Sequence, residues 1–314
     1  MDRIDAVVVG ARFGEAVHAP GLRLLEPLGV GDVTTVTREW RTAIEQPGVA
    51  LVTVATPPAS HREIAAAALA AGHAVLCEKP LAATVEDAEA MVEAAARAHR
   101  PAAVNFSYRA VPAFRRASEL VHGGAVGEVD AIDVRWDATM RRGRAHSPGW
   151  KDSAAAGGGA LAGYGVHALD YVGWLAGAAS VESASFEPDV ESDDACLVRL
   201  RLARGAEVRL AVSLVAEAPL HRVDIVGTEG TLVLESRSAT DPVGAFALTL
   251  DGEPVETPPP SFAAPSGADP RIAPFASHAA ALVRALRSGS PASPSFEDGL
   301  RAQRLVAAAR RATS

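Results

Sequence analysis

Two protonatable side chains stand where their chemistry could be used. Lys79 lies in Glu78-Lys79-Pro80, directly after the apolar run from His73 to Cys77, and His167 lies in a helical stretch that follows Gly157-Gly158-Gly159. Open α/β sheets take ligands outside the carboxyl ends of their strands, where a lysine after a buried strand falls. Histidine titrates near neutral pH, so it can take a proton from a hydroxyl and return it. Each residue also has a structural reading: a surface lysine before a proline-terminated strand, and a hydrogen-bonded core histidine. A third feature is the turn Gly10-Ala11-Arg12-Phe13-Gly14-Glu15-Ala16, between an apolar run and a helical pattern. It approximates the G-x-G-x-x-G/A loop that sets a dinucleotide pyrophosphate on a helix N-terminus. Counted from Gly10, the second place is Arg12 and the third is Glu15; Gly14 fills the third place only in a loop one residue shorter than usual. Arg12 either obstructs a pyrophosphate or lays its guanidinium over a phosphate. The turn is thus a nucleotide site or a strand-to-helix connection without a ligand.

Other reactive side chains are less telling. Cys77 and Cys196 sit in apolar runs and read as small buried hydrophobes. There is no CxxC pair or Cys/His cluster, so no metal site is expected. Arg141-Arg142-Gly143-Arg144 is a solvated basic loop or a clamp for an anionic substrate.

The elements that must hold these residues follow from periodicity. Strands are predicted at Ile4 to Val9, Val33 to Thr37, Val49 to Ala55, His73 to Cys77 and Ala102 to Asn105, alternating with helical patterns. Such alternation implies a parallel sheet with helices on both faces. From Gly127 the pattern changes to strands with one covered face, as in Leu197-Val198-Arg199-Leu200-Arg201-Leu202. The fold class is therefore an α/β N-terminal domain over 1–122, then an α+β domain over 123–314 with a large, mainly antiparallel sheet. Helices at 275–313 are expected to pack back towards the first domain. With 314 residues the chain can build two cores, and its net charge of −8 disfavours nucleic acid and anionic membrane as partners. No secretory leader pattern opens the sequence and no apolar run reaches membrane-spanning length, so a reducing, cytoplasmic setting is expected.

Several segments in order carry a family likeness. Ala55-Thr56-Pro57-Pro58-Ala59-Ser60-His61, Glu78-Lys79-Pro80-Leu81, Trp150-Lys151, Gly157 to Leu161 running on to Gly165-Val166-His167-Ala168-Leu169-Asp170, Gly227 to Thr231 and Ser295 to Gly299 resemble motifs of the glucose–fructose oxidoreductase, inositol dehydrogenase and MocA (Gfo/Idh/MocA) family. The resemblance implies a Rossmann-like first domain, NAD or NADP as cofactor, and hydride transfer to or from a sugar-like or polyol-like alcohol or carbonyl. It also implies a homodimer or higher homo-oligomer formed through the outer sheet face. Carried over residue by residue, it makes Lys79 and His167 catalytic, with His167 the general acid or base. The cofactor would meet Gly10, Arg12, Phe13, Thr56, Pro57, His61, Glu78, Lys79 and Asn105; the small-molecule substrate would meet Tyr108, Arg109, Trp150, Lys151, Tyr164 and His167.

Three departures qualify the likeness. Arg12 replaces the second fingerprint glycine, and Gly163 replaces the family's aspartate four residues before the histidine. The chain between the first helix and Val33 is also too short for a full complement of elements. The favoured reading deletes the second, ribose-reading strand and its helix. The rival makes Val33 to Thr37 that strand, with Arg38 at its end where a 2′-phosphate could be met. Together the departures keep open an alternative function: a homologue without nicotinamide redox chemistry, either a non-redox enzyme or a binding or regulatory module.

Overall fold

The computed structural model describes residues 3–140, 149–189 and 193–313; the basic segment 141–144 lies outside them. The chain divides into two compact units, Met1–Ala110 with Pro260–Gln303, and Val111–Pro259 with Arg304–Ser314.

The first unit holds a five-stranded parallel sheet of β1 (Ile4–Val9), β2 (Val30–Val36), β3 (Val49–Val54), β4 (Ala74–Cys77) and β5 (Ala102–Val104), in the order β2-β1-β3-β4-β5. The inner strands are near-continuous runs of Val, Ala and Leu because helices cover both faces. Those helices are α1 (Ala19–Arg23), which continues a π-type turn at Gly14–His18, then α2 (Trp40–Ile44), α3 (His61–Ala70) and α4 (Val85–Ala98). α4 starts where Asp87 N–H donates to Thr84 Oγ1 at 3.1 Å, the cap its sequence implies.

The expectation of a missing second strand is corrected here. β2 runs parallel beside β1, from Ile4 opposite Val30 to Val9 opposite Val36. Relative to the six-stranded order 3-2-1-4-5-6, the strand lost on this side is the outer one: among the described residues the sheet ends at β2. The reason is backbone pairing. β1 is buried and needs a partner on each edge, so the single strand that the short connection supplies takes the inner place. In the resulting order the sheet reverses between β1 and β3, the switch point where doubly wound sheets open a crevice.

The second unit begins with α5 (Pro112–His122), which periodicity did not reveal, and continues through β6 (Val129–Asp137), α6 (Val166–Ala176), β7 (Ala179–Glu187), β8 (Ala195–Leu202), β9 (Glu207–Ser213), β10 (Leu220–Gly227), β11 (Thr231–Ser236), β12 (Ala247–Leu250) and the short β13 (Glu253–Pro254). The strands form one sheet, β13-β12-β11-β10-β6-β9-β8-β7, antiparallel except for β6 beside β9. Alternation holds as read: Cys196, Val198, Leu200 and Leu202 are buried on β8, as are Val208, Leu210 and Val212 on β9. The unit starts at Val111, just before α5, and not at 123, because Phe114 packs against Tyr171 and Phe246, with ring centroids 4.9 and 5.1 Å away. The C-terminal helices are α7 (Ile272–Ser288) and α8 (Phe296–Arg311); α7 completes the core of the first unit, and the division falls within α8. Both cysteines are buried and free. No described helix is long and apolar enough to cross a membrane.

Two buried histidines predict acid sensitivity. His221 stacks on Trp136 at 4.0 Å, and burial lowers its pKa to about 3. His278 of α7 donates from Nε2 to the Phe106 carbonyl, and burial lowers its pKa to about 4. Unfolded histidine titrates near 6.5. Below that pH the unfolded chain binds protons that the folded chain does not, so stability falls as pH drops from about 6.5 towards 4, at up to about 1.4 kcal/mol per pH unit for each histidine. Melting temperatures between about pH 7.5 and about pH 5 should fall accordingly, and less steeply in His221→Gln; a flat profile would contradict this assignment.

Candidate active site

Because the strands of the first unit are parallel, their carboxyl ends share one edge of the sheet. Gly10 to Phe13 follow β1, Thr37 and Arg38 follow β2, Thr56 and Pro57 follow β3, Glu78 and Lys79 follow β4, and Asn105 follows β5. Gly10 has φ 140°, and a Cβ there would overlap the Ala55 carbonyl, so only glycine lets the loop lie this close to the end of β3. Gly14 would bring a Cβ to 3.1 Å from Val8 Cγ1 and 3.6 Å from Ala55 Cβ. Close packing of helix on strand is the work of the third fingerprint glycine, so the loop is the shortened form, and a π turn wider than an α turn follows it. Gly10→Ala is expected to cost about 1–3 kcal/mol of stability and to remove the thermal stabilisation that a bound dinucleotide gives; undiminished stabilisation would show that the close approach is not needed.

Arg12 is exposed with φ 46°. The Phe13 ring is edge-on to His18 at 5.5 Å, with the Arg271 guanidinium 4.8 Å from its centre. His18 itself was not anticipated. It is buried, stacks on Phe275 at 4.1 Å, and bridges Thr53 Oγ1 (3.0 Å) to Glu78 Oε1 (3.1 Å). Asn105 Nδ2 donates to the same Glu78 oxygen at 2.6 Å. Burial alone would raise the Glu78 carboxyl, but the hydrogen bond and charge of His18, with Lys79 and Asn105, hold it below the usual carboxylate range. Asn105 Oδ1 is buried and has no hydrogen-bond partner among the described residues. This set fits a nicotinamide dinucleotide: a tight Gly10–Gly14 turn ahead of a helical N-terminus suits a pyrophosphate, and an uncommitted buried acceptor suits a hydroxyl or amide donor. Lys79, half-buried, precedes Pro80 through a cis peptide.

Two residues are placed differently from expectation. His61 is fully buried, with Nε2 2.8 Å from the Thr56 carbonyl and Nδ1 3.1 Å from that of Leu81. It staples the turn after β3 to the chain after Pro80 and turns neither nitrogen to a ligand. Arg109 Nη2 lies 3.1 Å from Asp298 Oδ1 in a pair only 9% and 10% exposed, which anchors the first turn of α8. Tyr108 is buried in the adjoining short turn. Thr56 accepts from Ser60 Oγ at 2.8 Å, and Pro57 is exposed.

The second unit holds Trp150 and Lys151 against the glycine loop and sets Tyr164 and His167 on the helix that follows it. A Cβ on Gly158 would overlap the carbonyls of Trp150 and Lys151; one on Gly159, at φ 86°, would overlap the Asp193 carboxylate. Asp193 is fully buried and caps the following helix: Leu161 N–H donates to its Oδ2 at 2.7 Å and Ala160 N–H to its carbonyl at 2.8 Å. Arg310 of α8 donates to the carbonyls of Ala154 (2.6 Å) and Gly158 (3.2 Å). Neither Asp193 nor Arg310 could be read from local pattern. The helix opens with a π turn, Leu161–Gly165, and then carries His167 on α6. His167 is buried, its ring 6.1 Å from that of Trp136; Tyr164 stands edge-on to the same indole at 5.4 Å and hydrogen-bonds the Met140 sulfur. Lys151 Nζ lies 5.7 Å from the Trp150 ring. A side chain at Gly163 would meet nothing within 4 Å, so sterics do not explain the missing carboxylate.

Comparison with known proteins agrees with this layout. Residues 26–106 match the model of an oxidoreductase family with an NAD-binding Rossmann fold, and residues 114–233 match the C-terminal domain of the same family. An uncharacterised oxidoreductase of Synechocystis is 28% identical over 96% of this chain and 92% of its own. Levoglucosan dehydrogenase of Pseudarthrobacter phenanthrenivorans is 29% identical over 67% of this chain and 62% of its own. The crystal structure of an oxidoreductase domain protein from Kribbella flavida has a TM-score of 0.85 at 27% identity, covering 99% of this chain and 97% of that one. The Glu78-Lys79-Pro80 segment and the strands from β6 to β10 fall within the matched residues, and the chain belongs to the Gfo/Idh/MocA family of oxidoreductases, whose first domain binds NAD(P).

Proposed function

We propose that the protein is an NAD(P)-dependent oxidoreductase that moves hydride to or from a sugar-like, polyol-like or related alcohol or carbonyl. One observation carries this reading: the Gly10–Gly14 turn, the uncommitted acceptor of Asn105, and Lys79 gather at the carboxyl ends of one parallel sheet. The substrate class follows the name of levoglucosan dehydrogenase among the relatives. When bound, the nicotinamide takes or gives the hydride. The residues of this chain handle the proton: in oxidation the substrate hydroxyl proton passes to the His167 imidazole, and in reduction it returns. The Lys79 ammonium stabilises negative charge on the substrate oxygen. The test is a spectrophotometric screen of sugars, anhydrosugars and cyclic polyols with either nicotinamide cofactor. Turnover of one class supports the reading. Failure of every class despite tight cofactor binding would remove the substrate assignment, and failure of binding would remove the whole reading.

We further propose a homodimer through the outer face of the eight-stranded sheet. Neighbouring strands there carry Asp224, Asp133, Arg209 and Arg199 in one row, acidic to basic. A second copy related by a two-fold axis would set unlike charges opposite each other. Light scattering should give twice the chain mass; a monomer mass would refute it.

A further inference from the structure

We infer that the nucleotide taken by the first unit is NADP(H) rather than NAD(H), and that Thr37, Arg38 and Arg12 form the subsite for its 2′-phosphate. The inference rests on the oxidoreductase reading and narrows its cofactor.

In doubly wound folds the adenosine ribose is read at the carboxyl end of the strand beside β1. An acidic residue there hydrogen-bonds the ribose hydroxyls of NAD, and a nearby arginine accommodates the 2′-phosphate of NADP. β2 is that strand: Val36 is its last paired residue, opposite Val9, and Gly10 N–H donates to the Val36 carbonyl at 2.9 Å. The next two residues are Thr37 and Arg38, both exposed. A carboxylate at this place would repel a phosphate; a hydroxyl and a guanidinium supply donors to one, the guanidinium as a fork that matches phosphate oxygens.

Pairing of the surrounding arginines sharpens the point. Arg3 pairs with Asp5 and Asp32, Arg41 with Glu63, and Arg62 with Asp87. Among the described residues Arg38 and Arg12 make no ion pair or side-chain hydrogen bond. They stand on two loops tied together by the bond from Gly10 to Val36. Glu39 follows Arg38 directly and Glu15 stands in the helical turn after the loop; both are exposed. Loss of the outer strand adds room, because β2 is the edge of the sheet. The arginine that breaks the dinucleotide fingerprint thereby gains a purpose: it gives up close backbone approach and brings a second cation to the extra phosphate.

The test is calorimetric titration of the full chain with NADPH and NADH, repeated on Arg38→Ala and Arg12→Ala, with 2′,5′-ADP and 5′-ADP as competitors. NADPH should bind at least about tenfold more tightly than NADH, since each charge-assisted contact is worth about that factor. Arg38→Ala should lose about tenfold for NADPH with NADH little changed, and 2′,5′-ADP should compete better than 5′-ADP. NADH binding as tightly as NADPH would overturn the inference and leave the oxidoreductase reading intact. Equal loss of both nucleotides in Arg38→Ala would overturn the subsite. Binding of neither at millimolar concentration would overturn the oxidoreductase reading itself.

Discussion

His167→Ala is expected to lower kcat by about 10²–10⁴-fold, the usual contribution of a positioned acid–base group, while nucleotide affinity holds. Oxidation of an alcohol releases a proton as the hydride leaves, and the imidazole is the group proposed to take it. The ring is buried beside Trp136, one helical turn after Tyr164, so it is held rather than free to sample solvent. Lys79→Ala should behave differently. Its ammonium bears on the charge of Glu78, so both turnover and cofactor binding should suffer. Steady-state kinetics with the preferred cofactor, set beside calorimetric binding, separates the two. A His167→Ala enzyme with parental kcat would end the assignment. Circular dichroism guards against a folding artefact, since removing a buried ring also leaves a cavity.

Asp193→Ala should be the most damaging change to stability, by about 3–5 kcal/mol, the cost of removing one partner from a buried charged arrangement. Its carboxylate accepts from Leu161 N–H, and its charge favours the buried guanidinium of Arg310. Take it away and an amide loses its acceptor while a buried cation loses its counter-charge. Asp193→Asn keeps the shape and one acceptor, so it should cost less, about 1–3 kcal/mol. Chemical denaturation ranks the variants. If Asp193→Ala unfolds at the parental denaturant concentration, the clamp on the glycine loop is not structural.

What the sequence disclosed and what it hid divide along a physical line. Strands announce themselves through neighbouring residues, so the alternation in β8 and β9 and the buried run of β3 were legible. Lys79 and His167 stood out because short local motifs surround them. Pairing partners are not local. The place of β2 in the sheet depends on which edge of β1 it covers, a choice that the length of one connection leaves open. Arg109 finds Asp298, and Asp193 meets Leu161, across long stretches of chain. His61 looked like a ligand contact because its motif sits beside a binding turn; burial between two carbonyls was invisible. α5 went unread although Ala113, Phe114 and Ala117 share its buried face while Arg115 and Glu119 lie on the exposed one.

The split makeup of the first unit has a consequence for how the protein is made. Its core includes Ile272, Phe275, Ala279 and Val283 of α7, packed with Val8, Leu22 and Leu25 from the other end of the chain. As the chain leaves the ribosome, the residues up to Ala110 are ready to assemble, yet the helix that covers them has not been translated. At about 5–20 residues per second the intervening stretch takes roughly 10–30 s. During that interval the apolar faces of Leu22 and Leu25 lie open to chaperones or to other nascent chains. A ribosome stalled before α7 therefore presents an uncovered sheet face of valine and leucine, and a gene fragment ending near residue 260 should yield aggregate where the full reading frame yields folded protein.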